Sequence, residues 1–209
     1  MEAQQIAPGA FHYPAFLDAA AQERLAQEIA DAISAAPLFI SRMPKSGLPM
    51  SVRMTNCGPL GWMSDKDRGY RYEPRHPETG APWAPIPRML LDIWDALTAY
   101  PKPPEACLVN VYAADAKMGL HQDHDEADVE APILSLSLGA DCRFRLGGRK
   151  RADKTIAFTL ASGDALILSG PARLCFHGVD RILPSILTPL PGPLAGQGAR
   201  VNLTLRRVT

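Results

Sequence analysis

An α+β fold, with N-terminal helices packed against a C-terminal β-sandwich, is predicted by three observations. Helical periodicity is confined to the first half of the chain. From Cys107 onward the pattern changes to short alternating apolar and polar runs. Gly, Pro and Asp punctuate those runs at short intervals, as in sandwiches and open barrels. With 209 residues, 46% of them apolar and 21% charged, the chain suits a single domain with a full core, residues 1–209.

Each element has a local reason. Asp18 is an N-cap type, and the "AAAQERLAQEIADAIS" after it sets Leu25, Ile29 and Ile33 on one stripe, with Pro37 just beyond. This makes residues 1–40 an N-terminal helical segment. Residues 41–87 are rich in Pro, Gly and charge, with Trp62, Tyr70 and Tyr72 near the middle. So long a stretch without periodicity is expected to be a functional loop or disordered. "RMLLDIWDALTAY", Arg88 to Tyr100, is a second helix bracketed by Pro87 and Pro101. Residues 88–209 thus hold one helix and the β core. Its strands are expected in "CLVNVYA", "PILSLSL", "CRFRL", "TIAFTL", "DALILSG", "RLCFHG" and "ARVNLTLRR".

Lysine plus arginine balance aspartate plus glutamate at 22 each, so overall charge points to no polyanionic partner. Locally, Arg42, Lys45, Arg53, Lys66, Arg68, Arg71 and Arg75 face only Asp65, Asp67 and Glu73. Arg143, Arg145, Arg149, Lys150, Arg151 and Lys154 face only Asp153. Such clusters can contact phosphates, although two solvated loops would look the same. No run approaches a membrane span, and "MEAQQIAPGAF" lacks a signal-peptide pattern. Cys57, Cys107, Cys142 and Cys175 form no CxxC pair and read as reduced thiols. A cytoplasmic protein with no membrane partner and no cysteine zinc site is expected.

His121-Gln122-Asp123 is an HxD on a stretch that reads as extended, where side chains two apart point the same way. With a third ligand it would complete the two-histidine, one-carboxylate face that holds non-haem Fe(II). His124 and Glu126 offer a rival HxE three residues later, so local pattern leaves the register open. The third ligand has few sources: His12 and His76 lie in Pro-flanked loops, and His177 ends "RLCFHG". A hydrogen-bonded strand-end histidine would look no different. In "RVNLTLR", Arg200, Asn202, Thr204 and Arg206 alternate with Val201, Leu203 and Leu205. A solvated strand face accounts for this pattern too. Yet an arginine near iron is what a dicarboxylate co-substrate needs, because its planar fork pairs two carboxylate oxygens. In "LVNVY", Asn110 and Tyr112 share a face and could add donors.

HxD, a distant histidine and "RVNLTLR" together resemble the AlkB family of Fe(II)/2-oxoglutarate-dependent dioxygenases, the bacterial repair members above all. The likeness extends through "TNCGPLGW", "NVY", "LHQDHDEADVEAPILSLSLG", "FRLGGRKR" and "SGPARLCFHGV", most of residues 50–206. It implies a jelly-roll, or double-stranded β-helix, carrying a nucleotide-recognition lid at 41–87. It assigns iron to His121, Asp123 and His177, and 2-oxoglutarate to Arg200 and Arg206 with Asn110, Tyr112 and Asn202. Trp62 would stack on the target base, with Asp125 and Glu126 near it. Tyr70 and Arg151 would contact the substrate phosphate or base, and His124 would be no ligand. The lid "WMSDKDRGY" is one residue longer than the family pattern and carries Asp65 and Asp67. The segment between His177 and Arg200 is also longer, which changes a loop.

The implied cofactors are Fe(II), 2-oxoglutarate and O2, and the implied reaction is oxidative removal of N-methyl groups from bases in DNA repair. Formaldehyde, succinate and CO2 would be the products. The partner would be alkylated DNA, with RNA a second candidate, acted on by a monomer. Anionic Asp125 beside the base would favour cationic lesions such as 1-methyladenine and 3-methylcytosine. A dioxygenase of the same chemistry could instead act on protein side chains or small molecules. A non-catalytic nucleic-acid-binding module predicts a missing ligand or arginine, and none is missing here.

Overall fold

The computed structural model describes residues 2–183, 190, 194, 196 and 198–209. Most of the longer loop expected between His177 and Arg200 lies outside the described residues. In chain order the elements are β1 (Gln4–Ala7), β2 (Ala10–Tyr13), α1 (Ala19–Ala35), β3 (Val52–Cys57), β4 (Gly61–Asp65), β5 (Gly69–Glu73), α2 (Arg88–Thr98) and β6 (Ala106–Tyr112). Then come β7 (Met118–His121), β8 (Ile133–Gly139), β9 (Cys142–Leu146), β10 (Ile156–Leu160), β11 (Ala165–Leu168), β12 (His177–Ile182) and β13 (Arg200–Arg206).

Seven strands form a major sheet in the order β1-β2-β11-β8-β13-β6-β3, and four form a minor sheet in the order β10-β9-β12-β7. All their pairings are antiparallel. The alternation along β13 explains the layering. Val201, Leu203 and Leu205 turn to one face of the major sheet, where they pack with Leu25 and Ile29 of α1 and Leu90 and Trp94 of α2. Between the sheets lies a second core, with Tyr112, Ile133, Leu166 and Leu168 meeting Cys142, Phe144, Leu146 and Val179. The result is a jelly-roll sandwich backed by helices on one face.

Both helices form where the periodicity puts them. Asp18 caps α1 by accepting from the Ala21 amide at 2.7 Å. α2 starts just after Pro87, and left-handed Ala99 (φ 50°) ends it.

Three expectations need correction. Residues 1–40 are not wholly helical, because β1 and β2 form a hairpin on β11 at the sheet edge. Two strands of four residues are too short to show a period. Residues 41–87 are not one long loop either. β3 is an edge strand of the major sheet, and it lacks alternation because five of its six residues are buried. β4 and β5 form a separate hairpin. Finally, "RLCFHG" is not one strand. A 3-10 turn at Gly170–Ala172 leads into an irregular stretch, and β12 begins only at His177. Buried Arg173 explains the interruption, since its guanidinium binds the Ala131 and Asp123 carbonyls at 2.7 and 2.6 Å.

Candidate active site

Two strands of the minor sheet bring the histidines together. His177, first in β12, is the direct cross-strand partner of His121, last in β7. Their ring centroids are 4.5 Å apart. Close approach at this point needs a glycine, since a Cβ on Gly178 would sit 2.5 Å from the Met118 carbonyl oxygen. Asp123 lies past the end of β7, so it does not share a strand with His121 as the HxD spacing suggested. The chain turns there and brings the carboxylate to both rings: Oδ1 is 3.6 Å from His121 Nε2, and Oδ2 is 3.7 Å from His177 Nε2. The ligand atoms of the three residues all fall within 4.8 Å of one another.

Each ring is held from behind in the same way. His121 Nδ1 lies 3.0 Å from the Gly119 carbonyl oxygen, and His177 Nδ1 lies 3.0 Å from that of Cys175. A carbonyl only accepts, so Nδ1 carries the proton in both rings and Nε2 is left with its lone pair toward Asp123. Burial first, and then His121 beside it, push the His177 pKa down to about 4, so its imidazole is neutral. Burial would raise the Asp123 carboxyl, but Arg206, then the two histidines, outweigh it and hold it well below the usual range. Two imidazoles and one carboxylate, with one side of His121 open, are a donor set that suits Fe(II) with positions left for other ligands. His124 is exposed and stands outside this cluster, with Nδ1 3.0 Å from Asp125 Oδ1.

The polar face of β13 is not solvated. Arg200 and Arg206 are 1% and 5% exposed and point between the sheets. Arg206 Nη2 reaches Asp123 Oδ2 at 2.9 Å. Arg200 donates to Ser137 Oγ at 2.6 Å and to the Ala140 and Leu160 carbonyls. Asn202 donates to Ser135 Oγ and to the Leu136 carbonyl. Asn110 pairs directly across from Asn202 on β6, and Tyr112 across from Arg200. Among the described residues, Asn110 Oδ1, Arg200 Nε and Arg206 Nε are buried without a hydrogen-bond partner, and the Tyr112 hydroxyl faces only Met118 Sδ at 3.8 Å. Orphaned polar atoms are costly in a native interior. The donors among them, Arg200 Nε–H and the Tyr112 hydroxyl, belong to cross-strand partners and could give their hydrogens to a carboxylate of a small dianionic ligand, so the residues fit 2-oxoglutarate.

The β4–β5 hairpin forms the lid. Trp62 and Tyr72 are cross-strand partners, and Tyr70 stacks on Trp62 with centroids 5.6 Å apart. Trp62 Nε1 donates to Asp125 Oδ2 at 2.8 Å. Glu126 turns inward. It is 4% exposed, accepts from the Tyr72 hydroxyl and pairs with Arg173 Nη2 at 3.1 Å. It therefore braces the loop, and its neighbour Asp125 stays at the rim. The unexpected lid acid Asp65 is a structural cap, accepting from the Asp67 and Arg68 amides and pairing with Arg71. Much of the basic cluster is likewise spoken for. Arg68 and Arg71 pair with Glu73, and Arg42 and Arg75 donate to the Gly47 and Gly80 carbonyls. The second basic turn borders the HxD through Gln122, which donates to the Leu174 carbonyl at 2.6 Å and to that of Arg149 at 3.4 Å. Arg151 lies over the Phe176 ring at 5.2 Å, next to His177.

Sequence reasoning missed Tyr72 and Arg173. Arg173 stands inside a quoted motif and Tyr72 two residues past one, but no local pattern says that a side chain will be buried against an acid far along the chain. His12 and His76 are structural. The first bonds Asp164 at 2.8 Å, and the second bonds the Pro37 carbonyl at 2.7 Å and packs on Phe39 and Trp83.

The 2OG-Fe(II) oxygenase superfamily matches residues 9–206. An alpha-ketoglutarate-dependent dioxygenase AlkB homolog of Caulobacter vibrioides is 52% identical over 202 residues, 97% of this chain and 89% of the relative. The tRNA demethylase abh1 of Schizosaccharomyces pombe is 39% identical over 111 residues, 50% of this chain and 36% of the relative. The solved structure of OsALKBH1 superposes with a TM-score of 0.83 at 30% identity, covering 99% of this chain and 100% of that one. A jelly-roll carrying a two-histidine, one-carboxylate cluster, in a chain so matched, is an Fe(II)- and 2-oxoglutarate-dependent dioxygenase that consumes O2. Within that superfamily the chain belongs to the AlkB family.

Proposed function

We propose that this dioxygenase demethylates N-alkylated bases in nucleic acid, as a repair enzyme for 1-methyladenine and 3-methylcytosine lesions in DNA. The observation that carries the reading is the lid. The Trp62–Tyr70 stack offers an aromatic surface, bonded through Trp62 to a rim carboxylate, Asp125, that sits two residues from Asp123. Aromatic surfaces hold extruded bases, and an anion beside them favours cationic ones. The family resemblance and the demethylase name of the fission yeast relative support the same substrate class.

In this reading His121, Asp123 and His177 hold Fe(II). Arg200 and Arg206 hold the 2-oxoglutarate carboxylates, with Asn110, Tyr112 and Asn202 between them. Trp62, Tyr70 and Asp125 receive the base, Arg151 lies at the rim for phosphate or base, and Glu126 acts through Arg173 and Tyr72. Fe(II) and 2-oxoglutarate held by these residues would supply the oxidative chemistry, one atom of O2 going to succinate as CO2 leaves and the other to the N-methyl carbon, whose hydroxymethyl product would release formaldehyde and the free base. The chain's own residues supply position and charge. Arg206 fixes the Asp123 carboxylate, the backbone carbonyls orient the rings, and the buried β13 face excludes water. The reading includes a monomer in the cytoplasm.

The test is anaerobic loading with Fe(II) and 2-oxoglutarate, then admission of O2 with oligonucleotides carrying 1-methyladenine or 3-methylcytosine. Formaldehyde should appear with succinate. A fully metallated protein that releases none from either lesion overturns the substrate assignment, and a screen of peptides and small molecules would follow.

A further inference from the structure

One cross-strand pair of the lid reaches the acids that follow the HxD. Trp62 and Tyr72 lie opposite each other, and their polar tips bond consecutive acids, Asp125 and Glu126. The two acids differ in setting. Asp125 is at the rim beside His124, whereas Glu126 is buried, with Arg173 on one oxygen and Arg206 Nε 3.6 Å from the other. The Tyr72 hydroxyl donates to Glu126 and accepts from Arg206 Nη1 at 3.1 Å. The same guanidinium reaches Asp123 at 2.9 Å. One phenol therefore stands between the lid hairpin and the arginine that faces the metal cluster.

We infer that Tyr72 is a positioning residue that couples the lid to Arg206, so that 2-oxoglutarate on Arg206 and nucleic acid under the lid each strengthen the other's binding. The inference rests on the reading in the preceding subsection for both ligands. Its physical basis is shared geometry. The Tyr72 hydroxyl reaches Arg206 only while β5 is docked, and because β5 is paired with β4 the same docking seats Trp62 against Asp125 in the face proposed for the base. Fixing the guanidinium with a dicarboxylate fixes its hydroxyl partner, and therefore the hairpin. The reverse follows, because coupling between two sites is reciprocal. A low-dielectric interior strengthens each bond of such a network. A phenol that merely filled space would leave the two affinities independent.

The measurement is calorimetric titration of 2-oxoglutarate into anaerobic Mn(II)-loaded protein, with and without a 1-methyladenine oligonucleotide. In the wild type the oligonucleotide should tighten 2-oxoglutarate binding roughly fivefold or more, the lower end of usual coupling. In Tyr72→Phe, which keeps the ring and loses the hydroxyl, that factor should fall to within about twofold of unity. Equal factors in both proteins, or no tightening in the wild type, overturn the inference. Hydrogen exchange on the wild type gives a second reading that needs no variant. Lid amides of residues 61–73 should gain protection when 2-oxoglutarate is added without nucleic acid. If Tyr72→Phe does not fold, unchanged protection overturns the inference by itself. If wild-type protein binds no oligonucleotide, the nucleic-acid reading fails, and hydrogen exchange still decides whether Tyr72 joins lid and pocket.

Discussion

Asp123 sits buried among one guanidinium and two imidazoles, and its neighbour His124 points to solvent, though the two are adjacent in sequence. Asp123→Ala removes the only carboxylate of the cluster and leaves buried Arg206 without that partner. Iron-dependent formaldehyde release should be abolished, and equilibrium dialysis should show lost Fe(II) binding. His124→Ala should retain iron binding and turnover, and its stability should change by less than about 0.5 kcal/mol, as for other exposed substitutions. If His124→Ala proves the more damaging change, the register of the metal ligands is wrong. Arg173→Met tests the buried brace. It would strand Glu126 and release the carbonyls of Asp123 and Ala131. Breaking a buried pair from one side costs about 3–5 kcal/mol, to be read by urea denaturation against wild type.

Among the elements, the lid hairpin depends on a close approach at its root. A Cβ on Gly61 would lie 2.4 Å from the Trp83 ring, which is itself fixed by donation from Nε1 to the Glu73 carbonyl. Gly61→Ala should therefore displace β4 or Trp83. The expected cost is about 1–3 kcal/mol in thermal unfolding. A rise in KM for methylated oligonucleotide should exceed any fall in kcat. The strand pair β7–β12 illustrates why the histidines resisted local reading. His177 was expected at a strand end, yet it opens β12, and its pairing with His121 spans a long separation that periodicity does not encode. β13 was the reverse case. Its alternation identified both faces, and only the question of which face met water remained.

For the whole molecule, stability should depend on pH through His177. An unfolded histidine takes up its proton near 6.5, whereas burial keeps the folded ring neutral down to about 4. Between those values the unfolded chain binds more protons, so stability falls as pH falls. The thermal midpoint of metal-free protein should drop from pH 6.5 to pH 4, and His177→Gln should flatten that part of the profile. Among the described residues no helix is long and apolar enough to cross a membrane. The two basic clusters, far apart in sequence, both border residues 121–126, one through lid contacts to Asp125 and Glu126 and one through Gln122.

By itself the sequence determined the two helices, most of the sandwich strands and, through several family motifs in order, the class of chemistry. These are local or near-local properties: caps, periods of 3.6 and 2, and residue types at short spacing. Only the tertiary structure decided which histidines meet, that the β13 polar face is interior, that Asp65 caps a turn and that Glu126 turns inward while Asp125 stays at the rim. It also brought out Tyr72 and Arg173. The reason is that burial and charge pairing depend on which distant segments come together, and no window along the chain carries that information.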